Sequence, residues 1–430
     1  MSTIVIEHLA RVEGHGGITV ELEGDNVTNV RFDVFEGSRL LEPLVCGRRY
    51  DEVAPILSRI CAICSVAHTL TSLKATENAF AVRVSPQTDL LRELMFRGES
   101  IESHALHLFL LAAPDYLNYP SAIALSADKP AVVMLGLRLK KLGNLIQETI
   151  GGRAVHPVNA VPGGFGRAPA IEQLIELRSA LMQGVADSDA AMDVMASLPA
   201  ADFCHCDTVY AALRTPSLDS YYAGDEVMVV SDGSRAIVNA ADYKTLSNER
   251  AVPHSHAKHS AFRDKPFMVG ALARLTVNPR RVTGKLAVAK KRLKLQLPAD
   301  NPMDNNKAQA LELINDVERA LEIIEQLLRA GVKDEPPVPI QPRAGTGTAI
   351  TEAPRGLLVH SYTYDAEGRI AAADVITPTA FNAASMEMHF RKAVEQSAER
   401  DEATLSRKLQ MIARAYDPCI SCSVHLLRRK

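Results

Sequence analysis

The sequence lacks an excess of charge of either sign. Its 48 Lys and Arg residues stand against 51 Asp and Glu, leaving a net charge of −3. Nothing in that balance calls for a nucleic-acid partner. A long apolar run is missing too. The longest stretch, around residues 106–113, carries His107 and stops at Pro114, well short of the roughly 18 apolar residues that cross a bilayer. No transmembrane segment is therefore expected. The opening residues Met-Ser-Thr-Ile-Val-Ile-Glu-His have neither the basic region nor the apolar stretch of a secretory signal, so a soluble, cytoplasmic chain is expected. Repeats and low-complexity tracts are absent. Gly345-Thr-Gly-Thr-Ala-Ile-Thr lacks the Gly-Lys-Ser/Thr ending of a phosphate loop, so no nucleotide is assigned to it.

What is present is cysteine in a telling arrangement. There are seven, Cys46, Cys61, Cys64, Cys204, Cys206, Cys419 and Cys422. An odd count in a large chain without a secretory signal argues for metal or redox chemistry over a disulfide framework. Four of them form two C-x-x-C pairs at opposite ends of the 430 residues. The first reads Arg59-Ile-Cys61-Ala-Ile-Cys64, with His68 four residues on. The second reads Asp417-Pro-Cys419-Ile-Ser-Cys422, with His425 three residues on. Thiolates favour zinc, iron–sulfur clusters, copper(I) and nickel. A structural zinc and a cubane cluster both stay open on this basis. The wide separation suits a centre buried where the two chain ends meet.

The pattern between the pairs is mainly helical. Apolar residues recur at helical spacing over 89–111, 131–150 and, most clearly, 304–329, which Gly331 ends. Helices are also expected over 380–398 and 402–415. Strands are expected over 2–36, as a hairpin turning at Gly24-Asp-Asn, over 225–239, and over 356–377 around Asp365-Ala-Glu-Gly. Residues 151–166 read as a breaker-rich loop. The fold class is thus mainly α with small β additions, a helix-bundle core with an N-terminal β hairpin. No domain boundary is evident, so residues 1–430 read as one domain with an N-terminal β element over 1–36. The basic clusters at 138–141 and 290–294 read as solvated helix faces. Cys204-His-Cys206 reads as two buried free thiols, and His254-Ser-His256-Ala-Lys258-His259 as a polar loop near the centre or a subunit interface.

Both cysteine motifs resemble those of the catalytic large subunit of nickel–iron hydrogenases. The resemblance extends along the chain through Arg11-Val-Glu13-Gly-His15, His156-Pro, Pro162-Gly-Gly, Glu352-Ala-Pro354-Arg355-Gly with His360, and Thr377-Pro378-Thr379 with Asn382. It implies nickel held by all four thiolates, with Cys61 and Cys419 as terminal ligands. Cys64 and Cys422 would bridge to an iron carrying cyanide and carbonyl ligands, Fe(CN)2(CO).

The same resemblance assigns roles to the flanking residues. Splitting dihydrogen into hydride and proton calls for a Lewis-acidic metal pair and an adjacent base. Cys419 is implied as that base and Glu13 as the proton exit. Arg355, held by Pro354 and oriented by Asp417, would sit over the metals. Thr379, after Pro378, would donate to a cyanide, and His68 would hydrogen-bond a bridging sulfur. Glu42 and His425 would ligate a structural Mg2+. Ser103 stands where many membrane-associated members carry an acid, which implies an altered polar canopy.

Further consequences concern partners. The chain has no additional cysteine array for iron–sulfur clusters, and the resemblance implies an iron–sulfur small subunit that carries them. The overall pattern is most similar to the cytoplasmic NAD(P)-linked, sulfhydrogenase-type branch, where flavin and nicotinamide sit on other subunits. The deazaflavin-reducing and heterodisulfide-reductase-linked branches and an H2-sensing homologue are the alternatives. The quinone-binding subunit of respiratory complex I shares the fold but lacks the cysteine pairs. Residues 426–430, Leu-Leu-Arg-Arg-Lys, resemble the peptide that a maturation protease removes.

Overall fold

The computed structural model describes residues 2–37, 40–215, 221–279 and 282–424. His425 and the 426–430 segment lie outside the described residues, so neither expectation for them is addressed by the fold.

The N-terminal element has three antiparallel strands, Ser2–Ile6, Gly16–Glu23 and Asn26–Val34. The expected hairpin forms its second and third strands. Register places Ile4 beside Val20 and Val20 beside Val30, with Ile6, Ile18 and Phe32 in the next rung. One face is therefore apolar, and these six side chains are buried. The segment between the first two strands carries Arg11 and Glu13.

Five long helices make the core, Ser65–Phe80, Pro86–Leu106, Pro130–Gly151, Ile171–Ser197 and Asp304–Ala330. Pro86–Leu106 runs on into a π-helical stretch, His107–Ala112. It crosses Pro130–Gly151 so closely that a Cβ on Gly143 would stand 2.4 Å from the Gly98 carbonyl oxygen. Only glycine permits that approach.

Between the helices lie buried ion pairs. Arg92 grips Glu77 through two 2.7 Å bonds. Arg97 meets Asp316 at 2.6 Å, and the Tyr221 hydroxyl donates to the same carboxylate at 3.0 Å. The helix face at Arg138 is exposed as expected, but Lys140 instead reaches inward to the buried Glu102 at 2.8 Å.

The hairpin expected over 356–377 is present as Gly356–Tyr364 and Ile370–Ile376, with Gly345–Ala353 as a third antiparallel strand. The sheet lies on Ser65–Phe80. A Cβ on Gly347 would come within 2.1 Å of the Ala75 carbonyl oxygen, so this glycine serves close packing rather than a phosphate. A second sheet orders Phe267–Met268, Val209–Leu213, Glu226–Ser231 and Ser234–Asn239, its first pair parallel. Residues 254–259, expected as a loop, form the strand Ser255–His259 against Arg250–Val252.

Two helices close the chain. Pro378–Gln396 starts with proline in its first turn, where no amide hydrogen is missed. Glu402–Ala415 is capped by Asp401, which accepts from the Thr404 amide at 2.9 Å. The main apolar core runs from Ile4 to Val424, so both chain ends are built into it.

Candidate metal centre

Each cysteine pair sits on a tight turn at a helix boundary. Cys61 follows the short 3-10 turn Ser58–Ile60, and Cys64 immediately precedes Ser65–Phe80. The buried Glu99 carboxylate accepts from the Val66 and Ala67 amides at 2.7 and 3.1 Å. It thereby satisfies donors that a helix start leaves free. Cys419 leads into the turn Ile420–Cys422. Asp417, two residues earlier, has φ of 52°. That left-handed conformation is costly for a non-glycine residue and is retained where the surroundings enforce it.

The four cysteines are buried. The sulfurs of Cys61, Cys419 and Cys422 lie within 4.8 Å of one another, with Cys61 and Cys419 3.4 Å apart. The Cys64 sulfur faces Arg355 Nη1 at 3.2 Å. Hydrogen bonds from Cys419, Cys422 and Cys64 hold the Cys61 thiol well below its ordinary range. Hydrogen bonds to Cys422 and Cys61 push Cys419 up, and burial pushes Cys422 up. Burial and the closeness of the sulfurs thus work against ionising all four together. A bound cation is what allows them to lose their protons.

Arg355 reaches over the sulfurs in a fixed pose. Its Nε donates to the Asp417 carbonyl oxygen at 2.6 Å, and its Nη2 to Asp417 Oδ1 at 3.0 Å. Gln309 Nε2 donates to Asp417 Oδ2 at 3.3 Å, and His107 contacts Gln309 from the π-helical stretch. The loop before Arg355 is fastened by Arg274, which donates to the carbonyls of Ala353 at 3.0 Å and Pro354 at 2.9 Å. Arg274 is itself clamped by Glu312 and Glu352. Against the effect of burial, its charge holds the Glu312 carboxyl down at about 2.

On the opposite side, Cys419 Sγ donates to Glu13 Oε2 at 3.1 Å, and the Ser421 amide donates to the same oxygen at 3.1 Å. The Ser421 hydroxyl donates to Glu13 Oε1. Thr379 Oγ1 accepts from the Cys419 amide at 2.9 Å, which leaves its hydroxyl hydrogen free to donate elsewhere. His68 Nδ1 pairs with His360 Nε2 at 3.1 Å, and His360 with the Tyr362 hydroxyl. Burial presses His68 down to about 4 and His360 well below its usual value, so the pair is neutral.

Glu42 lies near the second cysteine pair. Its Oε1 accepts from the Val375 amide at 2.8 Å, beside a cavity of about 20 Å³ that Cys422 and Val424 also line.

Several expected participants sit elsewhere. Ser103 is buried, its hydroxyl has no partner among the described residues, and it does not join the Asp417–Gln309–His107 chain. Cys204 donates to the His389 carbonyl at 3.4 Å, while Cys206 is only half-buried and His205 turns out to Asp202. These three do not converge on a metal, and only one of the two thiols is fully buried. Sequence reading missed Arg274, Gln309, Glu99 and Ser421. Ser421 alone carried a local signal, lying inside the second C-x-x-C.

A family model for nickel-dependent hydrogenases matches residues 39–141 and 204–425, and one described as HoxL-like matches residues 3–36. The chain belongs to the nickel-dependent hydrogenase family. Two curated relatives from Pyrococcus furiosus, sulfhydrogenase 1 subunit alpha and sulfhydrogenase 2 subunit alpha, are each 37% identical over 99% of the chain, spanning 98% and 99% of those proteins. Among solved structures, an NAD+-reducing [NiFe]-hydrogenase in the H2-reduced state superposes with a TM-score of 0.88 at 27% identity, covering 99% of this chain and 100% of that one. As a nickel-dependent hydrogenase, the chain is a catalytic large subunit that acts on H2. The helix-rich fold with small sheets is the fold of that subunit. Family membership implies nickel and iron, and three converging buried sulfurs, with the buried Cys64 sulfur held by Arg355, fit them as soft donors. No helix among the described residues is long and apolar enough to cross a membrane.

Proposed function

We propose that this subunit catalyses reversible heterolytic cleavage of H2, with Cys61, Cys64, Cys419 and Cys422 holding nickel and iron and Cys419 and Glu13 handling the proton. When bound, the metals supply the Lewis acidity that polarises dihydrogen. The 3.1 Å contact between Cys419 Sγ and Glu13 Oε2 carries the reading. Apart from the sulfurs of Cys61 and Cys422, Glu13 is the acceptor that the described residues place within hydrogen-bond reach of that sulfur, and Ser421 holds it in place. Arg355 keeps its charge aimed at the sulfurs because Asp417 fixes two faces of its guanidinium. Pro354, whose carbonyl accepts from Arg274, fixes the backbone just before Arg355, and Thr379, following Pro378, has a hydroxyl hydrogen available for a ligand on the iron.

Glu42, with the cavity beside it and Val424 at its rim, is suited to a small oxygen-seeking cation such as Mg2+. His425 would complete that site, with residues 426–430 removed by a maturation protease. The NAD+-reducing structure supports a nicotinamide as the acceptor, and the proposal extends to electron flow through an iron–sulfur small subunit and a flavin subunit to NAD(P), in the cytoplasm. Anaerobic assay of the complex purified from its host tests this. H2-dependent reduction of NAD+ or NADP+, with nickel and iron in this subunit, is the expected result. H2 turnover with other acceptors alone overturns the NAD(P) assignment, and zinc as the sole metal at the thiols overturns the catalytic one.

A further inference from the structure

His254, His259 and Glu387 form a second cluster outside the thiol centre. Three different elements bring them together. Glu387 projects from the helix Pro378–Gln396, His259 ends the strand Ser255–His259, and His254 lies in the turn before it. One donor atom from each falls within 4.8 Å of the other two.

Hydrogen bonding accounts for only part of this arrangement. His254 Nε2 meets Glu387 Oε1 at 2.8 Å, and the same oxygen accepts from the Phe32 amide at 2.8 Å. Glu387 Oε2 instead faces His259 Nδ1 at 3.7 Å, too far for a hydrogen bond. The His259 side chain is only 3% exposed, and its Nε2 has no partner among the described residues. An imidazole buried without hydrogen bonds is costly. Ligands about 2.0–2.1 Å from a tetrahedral zinc stand roughly 3.4 Å apart, close to the 3.7 Å between Glu387 Oε2 and His259 Nδ1, so Nδ1 is the coordinating nitrogen. His254 and Glu387 are 21% and 18% exposed, so solvent has access for a fourth ligand.

We propose that His254, His259 and Glu387 bind a structural divalent transition metal, zinc by preference, through two imidazole nitrogens and one carboxylate oxygen. The position gives the metal a purpose. It ties the strand Ser255–His259 to the helix Pro378–Gln396 and to the strand Asn26–Val34, through the Phe32 amide. Ala257, in the middle of that strand, pairs with Val424, two residues beyond Cys422. Zinc here clamps the strand against which the end of the described chain is laid.

The test uses the nickel-loaded holoenzyme, so that the thiols are already occupied. After removal of loosely held metal by chelator and gel filtration, ZnCl2 is titrated in and zinc per nickel is measured. About one tightly held zinc is expected, with slower amide exchange over 255–259. His254→Gln and Glu387→Gln should each weaken zinc binding at least tenfold while nickel and iron contents stay unchanged. The glutamine at 387 keeps an acceptor for the Phe32 amide, and His254 is partly exposed, so these variants fold more readily than one at His259. No retained zinc in the wild type overturns the proposal, as does equal retention by both variants. Neither result depends on H2 turnover.

Discussion

The Glu13 carboxylate lies 3.1 Å from the Cys419 sulfur across 406 positions of the chain. A parallel bridge between the same two residues, with the Ile420 amide donating to the Glu13 carbonyl at 2.9 Å, sets this distance by backbone. Glu13→Gln keeps the size and leaves oxygen and nitrogen to satisfy Ser421, so the metals should stay bound. Loss of the proton acceptor should lower H2 oxidation by about 10²- to 10⁴-fold, the usual worth of general acid–base catalysis. H/D exchange from D2 is the direct readout. Exchange at the wild-type rate in the variant removes Glu13 from the proton path.

Arg355 makes three directed contacts, two to Asp417 and one to Cys64. Arg355→Lys preserves charge but not the planar fork. Its ammonium cannot hold Asp417 twice and still face the sulfur. Turnover should fall by about 10²-fold, as when one preorganised donor is lost, with nickel and iron content unchanged. Wild-type turnover in Arg355→Lys would show that charge alone suffices.

The two C-x-x-C pairs were legible because ligand chemistry is local. Cys61 and Cys64 lie on one turn, and Cys419 and Cys422 on another. The long helices were legible because periodicity over several turns averages out exceptions, as at Asp304–Ala330. The strand Gly345–Ala353 was not, because its glycines serve close packing on Ser65–Phe80 and resemble a loop in one dimension. Arg274 was invisible for another reason. Its partners Glu312 and Glu352 lie on other elements, and a buried ion network has no sequence spacing. The left-handed backbone at Asp417 likewise shows only in the fold.

Arg274 ties that network to the Arg355 loop. Arg274→Ala leaves Glu312 and Glu352 buried without their cation and frees the Ala353 and Pro354 carbonyls. Breaking one side of a buried pair costs about 3–5 kcal/mol. Chemical unfolding should register that loss. Arg274→Met at the same position should recover little, since the carboxylates remain. An unfolding midpoint equal to that of the wild type would deny the network any part in stability.

Buried histidines set the acid limit. Burial pushes His389 down to about 4, with its ring nitrogens engaged by Ser385, Tyr416 and Thr208. In the unfolded chain it titrates near 6.5. Because the folded value is the lower one, its contribution is fully present above about pH 6.5 and is lost as pH falls toward 4. Between about pH 7 and pH 5 the loss for one such group is roughly 2 kcal/mol. His389→Gln cannot take up the charge, so its unfolding free energy should fall less steeply over that window. His68 and His360, both pushed down by burial, retain the rest of the slope. Identical slopes in variant and wild type would mean that His389 charges without penalty.

Gly14 separates assembly of the site from its chemistry. It follows Glu13, has φ of 85°, and a Cβ there would stand 2.7 Å from the Ser421 amide nitrogen and 2.9 Å from Ile420 Cβ. Both neighbours belong to the turn between Cys419 and Cys422. Alanine therefore meets two penalties, a left-handed backbone costing about 1–2 kcal/mol and a clash that only a shift of the turn relieves. That shift moves Ser421 off the Glu13 carboxylate and changes the spacing of two sulfurs. Gly14→Ala should reduce nickel content as well as turnover, whereas Glu13→Gln one residue earlier should reduce turnover alone. Metal analysis of the two variants side by side distinguishes them. Full nickel loading in Gly14→Ala would mean that the Cys419–Cys422 turn adapts without disturbing its ligands, and that the close packing of Gly14 does not govern the centre.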